Sequence, residues 1–159
     1  MAKSKKPLAG TRQVLNNLNK EIQKIKTKSM AGLIEAAIFI RRESEPLTPV
    51  DLGNLRASFF IVTSQGKVKE GVSPNFVGPN ASTISSAHSA TMSQATSLVS
   101  DKNIPIVVLG FGANYAASVH EDLEMIFRRP GAQAKFLESV IKGNEKTIVD
   151  IIAKNIEIK

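Results

Sequence analysis

The first part of the chain carries a helical pattern of apolar residues between Thr11 and about Arg42. Apolar side chains recur there at intervals of three and four, with Lys, Gln and Asn between them, which is the spacing of one face of an α-helix. The positions on this face are Val14, Leu18, Ile22, Ile25, Leu33, Ala37 and Ile40. The pattern predicts one long amphipathic helix, or two helices joined near Gly32. At about 1.5 Å per residue it would reach on the order of 45 Å, more than one small domain can cover, so part of it is expected to need a partner.

This helix is expected to end before Pro46 and Pro49. Proline lacks a backbone N–H and pushes the residue before it toward extended geometry. A short helix is predicted next. Either Thr48 caps it, with Pro49 as its first residue and Asp51 as its third, or Asp51 caps a helix over residues 52–57. In both cases we expect Asp51 to lie beside unpaired backbone amides.

Two runs of β-branched and aromatic residues predict strands. Residues 59–63 form the first run and residues 104–111 the second. Their lengths and composition are typical of strands in a buried sheet.

The segment between the strands is unusual, because residues 71–100 contain no charged side chain and are rich in Ser, Ala, Thr, Asn and Gly. A connection of this length is a functional loop, a disordered segment or an unrecognised element. Apolar and aromatic residues do lie at helical intervals in it, but Ser and Thr compete for backbone hydrogen bonds and disfavour an isolated helix. These positions are Ile84, His88, Met92, Ala95 and Leu98.

We interpret residues 71–103 as a flexible insertion that becomes ordered on assembly. Ordering it would cost about 1 to 2 kcal/mol per residue, which only neighbouring subunits would offset. Its candidate assembly contacts are Pro79, Ile84, Met92 and Leu98.

The last third of the chain predicts two more helices. A short helix is expected over residues 113–122, then a turn at Arg129-Pro130-Gly131. From Ala132 a helical apolar pattern continues to Ile156, interrupted mildly by Gly143, so one face should pack on the sheet. The fold class predicted is α+β: a long N-terminal helix, a small mostly antiparallel sheet with a long inserted loop, a short helix and a long C-terminal helix.

Charge and composition narrow the functional classes. The chain has 159 residues, a net charge of +7 and no cysteine, so thiol chemistry and disulfide scaffolds are excluded. We expect a basic flexible arm over residues 1–10 and a single domain over residues 11–159. Basic residues are concentrated before residue 29, which predicts contact with an acidic protein or with DNA, or only a solvated surface. The candidate contacts of this region are Lys3, Lys5, Lys6 and Arg12.

Targeting signals and chemical motifs are sparse. No apolar segment of signal-peptide or membrane-span length follows the basic N-terminus, so a soluble product that is not exported by a standard signal is expected. The group His120, Glu121, Asp122 and Glu124 lacks the second His of a zinc-protease helix. The sequence Gly110-Phe111-Gly112 lacks the third glycine of a dinucleotide loop and is better interpreted as a strand-to-helix turn. We predict no catalytic residue, no metal site and no cofactor.

Two segments resemble the neck and tail-completion proteins of tailed bacteriophages. The first is Pro49-Val50-Asp51-Leu52-Gly53-Asn54-Leu55-Arg56-Ala57-Ser58, leading into a strand. Members of that family usually have Thr where this chain has Leu52. The second is Gly112-x-x-Tyr115-Ala116-x-x-Val119-x-Glu121, followed by Arg129-Pro130-Gly131-Ala132 and by Lys135-Phe136-Leu137, where the family often has Pro in place of Lys135. The residues that carry the resemblance, expected to serve fold and packing, are Pro49, Asp51, Gly53, Leu55, Arg56, Ser58, Tyr115, Ala116, Glu121, Pro130, Gly131 and Phe136.

The resemblance implies a non-enzymatic virion protein. Such a protein would form a homo-oligomeric ring of six or twelve copies at the head–tail neck or the top of the tail, between portal-side and tail-tube proteins and around the DNA path. One alternative is a small basic nucleic-acid-binding protein that uses the N-terminal region. A second is an enzyme with a cation at His120 and Glu121.

Overall fold

The computed structural model describes residues 11–68, 74–101 and 103–157. Lys3, Lys5 and Lys6, and the predicted arm over residues 1–10, lie outside this part of the chain. The helices are α1 Thr11–Ser44, α2 Asn54–Ala57, α3 Ala81–Leu98, α4 Ala116–Glu121, α5 Phe136–Gly143 and α6 Glu145–Ile156. The strands are β1 Phe59–Thr63, β2 Gly66–Lys67 and β3 Val107–Phe111. The predicted α+β class is confirmed.

Helix α1 is continuous, so the alternative of two helices joined at Gly32 is wrong. Gly32 is instead a point of close approach to α6. A Cβ atom at position 32 would lie 3.0 Å from the carbonyl oxygen of Ile152 and 3.1 Å from Cβ of Asn155. Glycine therefore lets the two helices pack tightly, and the Asn155 amide donates to Glu35 across the same interface at 2.7 Å.

The C-terminal helical pattern is divided at Asn144 into α5 and α6. The Asn144 side-chain amide donates to the carbonyl of Val140 at 2.9 Å, while its backbone N–H donates to the same carbonyl at 3.1 Å. Asn144 thus ends α5, and the chain turns. Helix α5 contacts the sheet through Phe136, whose ring meets that of Phe111 edge-on at 5.2 Å, whereas α6 packs along α1.

The sheet has three antiparallel strands in the order β2-β1-β3. Phe59 lies opposite Phe111, and Thr63 opposite Val107. Strand β3 begins at Val107 rather than at Ile104, where the second strand was predicted to begin. Ile104 is 55% exposed. Pro105 offers no N–H to a ladder and so disfavours an earlier start.

The prediction of a flexible insertion is wrong for residues 81–98, which form α3 on the sheet. Ile84 and Ala95 are both 3% exposed, and burial of this face offsets the poor helix propensity of the segment. The hydroxyl groups do not disrupt the helix, because they donate to carbonyls of the preceding turn. These bonds are Thr91 to Ala87, Ser93 to Ser89, Thr96 to Met92 and Ser97 to Ser93 and Gln94.

Two of the four candidate assembly contacts in this segment are therefore part of the fold. Ile84 belongs to the core cluster of Leu55 and Phe136, and half-buried Met92 packs on the cluster around Phe60 and Val62. Pro79 and Leu98 remain exposed, Leu98 by 70%.

The predicted capping of the short helix is also wrong. Helix α2 begins at Asn54 and is preceded by Gly53 in the left-handed conformation, with φ +84°. The Thr48 hydroxyl donates instead to the carbonyl of Ser44 at 2.8 Å and is buried at the end of α1. Asp51 is exposed and makes no capping hydrogen bond to α2 within the described residues.

Candidate functional site

The two segments that carry the phage resemblance meet at one cleft of about 320 Å³. One wall consists of residues 49–55. The other consists of Tyr115 and Val119 on α4, together with residues 125–128 of the loop that follows α4. Segments at least sixty positions apart in the chain thus form a single surface.

The first wall is held by buried packing and by hydrogen bonds of α2. Leu55 is 4% exposed and lies in the core. Ser58 is fully buried, and its hydroxyl donates to the carbonyl of Leu55 at 2.7 Å, which closes the short helix. Gly53 supplies the positive φ that directs the chain from half-buried Pro49 into α2. A residue with a Cβ atom is disfavoured in that conformation.

Asn54 links this wall to the segment before α3. Its side-chain amide donates to the carbonyl of Val77 at 2.8 Å, and its side-chain oxygen accepts from the N–H of Val77 at 2.9 Å. Asn54 is 5% exposed. The role of Asn54 was not predicted from the sequence, because only the folded chain brings Val77 beside it.

Arg56 and Arg129 secure the base of the wall around Glu45. Arg56 forms an ion pair with Glu45, and Arg129 donates to the carbonyls of Glu45 at 3.1 Å and Thr48 at 3.4 Å. Burial lowers the pKa of Arg56, and the nearby charges of Arg129 and Arg41 lower it further. Arg56 and Arg129 therefore have a structural role here, because both guanidinium groups hold the end of α1 to the chain around the cleft.

The second wall presents the aromatic ring of Tyr115, and the next residue, Ala116, is buried in the core. Ala116 is 6% exposed, whereas Tyr115 is half-buried and lines the cleft. Burial raises the pKa of Tyr115, and the carboxylate of Asp51 opposite raises it further. The phenol therefore remains neutral around pH 7 and offers an apolar face with a hydroxyl that can donate.

Glu121 belongs to a network behind the cleft. It forms an ion pair with Lys135, and its other oxygen lies 2.7 Å from Nδ1 of His120. Both partners lower the pKa of Glu121, the Lys135 hydrogen bond most. The backbone N–H of Lys135 donates to the carbonyl of His120 at 2.7 Å, so α4 is joined to the start of α5.

The chain enters α5 through an unusual backbone conformation. Lys135 has φ +54°, the one positive value at a non-glycine residue within the described ranges. Phe136 follows and is 1% exposed. The predicted turn before it is confirmed: Ala132 N–H donates to the carbonyl of Arg129 at 3.1 Å, with Gly131 at φ +82°.

Exposed apolar side chains surround the mouth of the cleft. Leu52 is 57% exposed, Met125 39% and Ile126 94%. Leu123, on the same loop as Met125 and Ile126, is 75% exposed. An isolated exposed apolar residue is ordinary, but several around one concavity are typical of a contact surface.

A second exposed apolar surface lies on the N-terminal part of α1. Every residue from Arg12 to Ile25 is exposed. We call residues 12–25 the projecting helix. Its large apolar side chains are Val14 65%, Leu15 52%, Leu18 55%, Ile22 39% and Ile25 40% exposed. Just beyond the projecting helix, the Lys28 ammonium group donates to the carbonyl of Glu157, the residue after α6, at 2.9 Å.

The candidate metal ligands and the candidate dinucleotide loop do not form a ligand site among the described residues. Within the described residues no three His, Asp or Glu side chains are grouped to hold a metal ion. The N–H of Gly112 donates to the carbonyl of Ser58 at 2.9 Å, and a Cβ there would lie 3.0 Å from Cα of His88. Gly112 is thus a close-packing position whose amide is already used within the fold.

Comparisons with known proteins gave no relative. Models of protein families, curated sequences and solved structures contain no match to this chain. Across residues 11–68, 74–101 and 103–157, no helix is both long and apolar enough to cross a membrane.

The structure thus brings together part of the predicted set. Pro49, Asp51, Gly53, Leu55 and Tyr115 line the cleft. Arg56, Ser58, Ala116 and Phe136 support it from below, while Pro130 and Gly131 form the exposed turn that leads to α5. The contribution of the loop over residues 122–128 to the cleft was not predicted from the sequence. The three consecutive apolar residues Met125, Ile126 and Phe127 were the one feature that could have indicated it.

Proposed function

We propose that this protein is a structural subunit of a tailed-phage virion, assembling into a ring at the head–tail neck or the top of the tail. The observation that carries the proposal is the projecting helix, which exposes an apolar stripe that the described chain does not cover. A ring of several copies would cover it and would surround the DNA path. The protein would be made in the host cytoplasm and reside in the virion.

The size of the stripe supports association. Fully burying a large aliphatic side chain is worth about 1.5 to 3 kcal/mol. The five apolar side chains of the projecting helix are 39–65% exposed, so each would contribute about half of that value on docking. The total is about 4 to 8 kcal/mol. Association itself costs about 4 to 15 kcal/mol, so the surface that receives the stripe must bury apolar area of its own.

The resemblance to neck and tail-completion proteins supports the setting. Its two segments, far apart in the chain, form one surface in the fold. Short motifs that resemble a family by chance have no reason to meet in space. The order of elements, from a long N-terminal helix to a terminal helix after a Phe, also agrees with that expectation.

Electron microscopy tests this proposal directly. The purified full chain, examined by negative stain and by light scattering across micromolar concentrations, is expected to form closed rings. Antibody against the chain should label the neck or tail top of phage particles from a lysate that produces it. A chain that remains monomeric and is not found in particles would refute the proposal.

Deleting most of the segment first predicted to be an assembly arm, residues 74–100, would not test this proposal. That deletion would remove Ile84, Ala95 and Val99, each 3% exposed in the core, and the fold would be lost with them. Substitutions at exposed positions are therefore preferable.

Nucleic-acid binding is the alternative, favoured by the basic character of α1. Lys20, Lys24 and Lys28 lie at intervals of four on it. Lys24 is paired with Glu21 at 2.6 Å, and Lys28 donates to the carbonyl of Glu157, so two of the three ammonium groups already have partners. Filter binding at two salt concentrations separates the proposals, because affinity for DNA phosphates falls steeply with salt.

A further inference from the structure

We propose that the projecting helix of one copy docks across the cleft of the next copy, with its apolar stripe against Leu52, Met125 and Ile126. The occupant of the cleft is therefore a second molecule of this chain. This inference gives the subunit contact of the ring, and for its setting it rests on the function proposed above.

The two surfaces are compatible in size, and both are apolar. An α-helix with side chains is about 10 to 12 Å wide, so a cleft of about 320 Å³ accepts a few side chains rather than a whole helix. The stripe supplies them at helical spacing, with Leu18 and Ile22 at its centre. Ile126, 94% exposed at the mouth, would then be covered by the docked helix.

The charges are complementary as well. Residues 12–28 carry five basic side chains and one acidic one. Around the cleft, Asp51, Asp122 and Glu124 are exposed, and Arg128 is the basic residue among those lining it. A basic projecting helix is therefore attracted to the mouth of the cleft. Two projecting helices, both basic, repel each other instead.

The contact must form between molecules. Leu18 and Ser44 lie on one continuous helix, so about 26 residues at 1.5 Å each separate them by roughly 39 Å. The cleft begins five residues after Ser44, at Pro49. A continuous helix cannot bend back over that distance, so the projecting helix cannot reach its own cleft.

The same separation defines the symmetry of the assembly. Each molecule offers a helix at one end of α1 and a cleft at the other, so the contact is head-to-tail. A head-to-tail contact closes into a ring when the rotation between neighbours divides the circle. Pairing of two projecting helices would instead give a dimer and stop.

Two substitutions and a matched control test the contact in the full chain. Leu18→Asp places a charge on the stripe, and Ile126→Asp places one at the mouth of the cleft. Val149→Asp is the control, because Val149 is 62% exposed on α6 and belongs to neither surface. Circular dichroism and thermal unfolding establish that each variant is folded, and sedimentation velocity measures association.

We expect Leu18→Asp and Ile126→Asp each to weaken association by roughly 30-fold or more, as for a central contact residue, and Val149→Asp to leave it unchanged. Mixing the first two variants is the decisive measurement. The Ile126→Asp molecule has an intact helix and the Leu18→Asp molecule an intact cleft. The mixture should therefore form one-to-one pairs that grow no further, although each variant alone is monomeric.

Other outcomes overturn the inference in distinguishable ways. If Ile126→Asp assembles like the unsubstituted chain, or if the mixture stays monomeric, the helix does not occupy the cleft, while a ring can still form through another contact. If the unsubstituted chain is monomeric but binds duplex DNA through the projecting helix, the docking and the proposed ring are both wrong.

Discussion

Replacement of Asn54 by Ala should destabilise the protein by about 2 to 3 kcal/mol. The substitution removes both hydrogen bonds to Val77, at 2.8 and 2.9 Å. Each such bond contributes about 0.5 to 1.5 kcal/mol, and a buried polar group left without a partner costs about 1 to 3 kcal/mol. Since Asn54 is 5% exposed but Val77 is 44% exposed, water can satisfy part of the Val77 backbone, which holds the sum to the lower range.

Urea unfolding followed by circular dichroism measures the change in the free energy of unfolding. Asn80→Ala is the matched control, because Asn80 lies near Val77 but is exposed and makes no capping hydrogen bond to α3 within the described residues. It should change stability by less than about 0.5 kcal/mol.

Asn54→Asp sharpens the test. The carboxylate still accepts from the N–H of Val77 but faces its carbonyl without a donor, so we expect destabilisation at pH 7 that is smaller at acidic pH, where the protonated acid can donate. If Asn54→Ala costs no more than the Asn80 control, the side chain does not hold the segment before α3, and the reasoning is refuted.

Three further predictions concern α5 and its start. Phe136→Ala should cost about 3 to 5 kcal/mol in urea unfolding, because Phe136 is 1% exposed in the core; a loss below about 1 kcal/mol would contradict this packing. Lys135→Pro should destabilise by more than about 1 kcal/mol, because φ +54° and the N–H bond to His120 are both closed to proline, whereas Lys135→Gly should be tolerated. Hydrogen bonds from Lys142 and Lys135 lower the pKa of Glu138 to about 2. The stabilising contribution of ionised Glu138 is therefore complete above its unfolded pKa near 4.5 and is lost as pH falls toward 2. Lys142→Ala should raise the pKa of Glu138 in an NMR titration, and no rise would contradict the pairing.

The Lys135 prediction bears on the phage resemblance. Members of that family often have Pro at this position, and here the backbone is left-handed. A proline there requires a different path into the terminal helix. Phe136, the next residue, is 1% exposed in the core of this chain.

Local pattern was sufficient for much of the fold. The helical spacing from Val14 to Ile40 predicted α1, and the run over residues 59–63 predicted β1 with its observed bounds. The exposed stripe was also foreseeable, because the predicted helix was longer than one domain covers. These features depend on periodicity, which a sequence displays directly.

The candidate site required the tertiary structure. Pro49, Asp51, Gly53, Leu55 and Tyr115 were selected by resemblance. Nothing in the chain indicated that they share a cleft with residues 125–128. Asn54 was missed because its role depends on Val77. The charge complementarity between α1 and the cleft also depends on the fold, which places exposed acidic residues around the cleft.

The sequence by itself determined where the chain is amphipathic, where β1 and most of β3 lie, and where proline and glycine turn it. Tertiary structure decided that the serine-rich segment is helix α3, because the core buries Ile84 and Ala95 while the hydroxyls bond within the helix. It also decided that Asn144 divides the terminal helix and that the projecting helix is left uncovered. Periodicity is a local property, whereas the partner that each face and each polar group finds depends on residues distant in the chain.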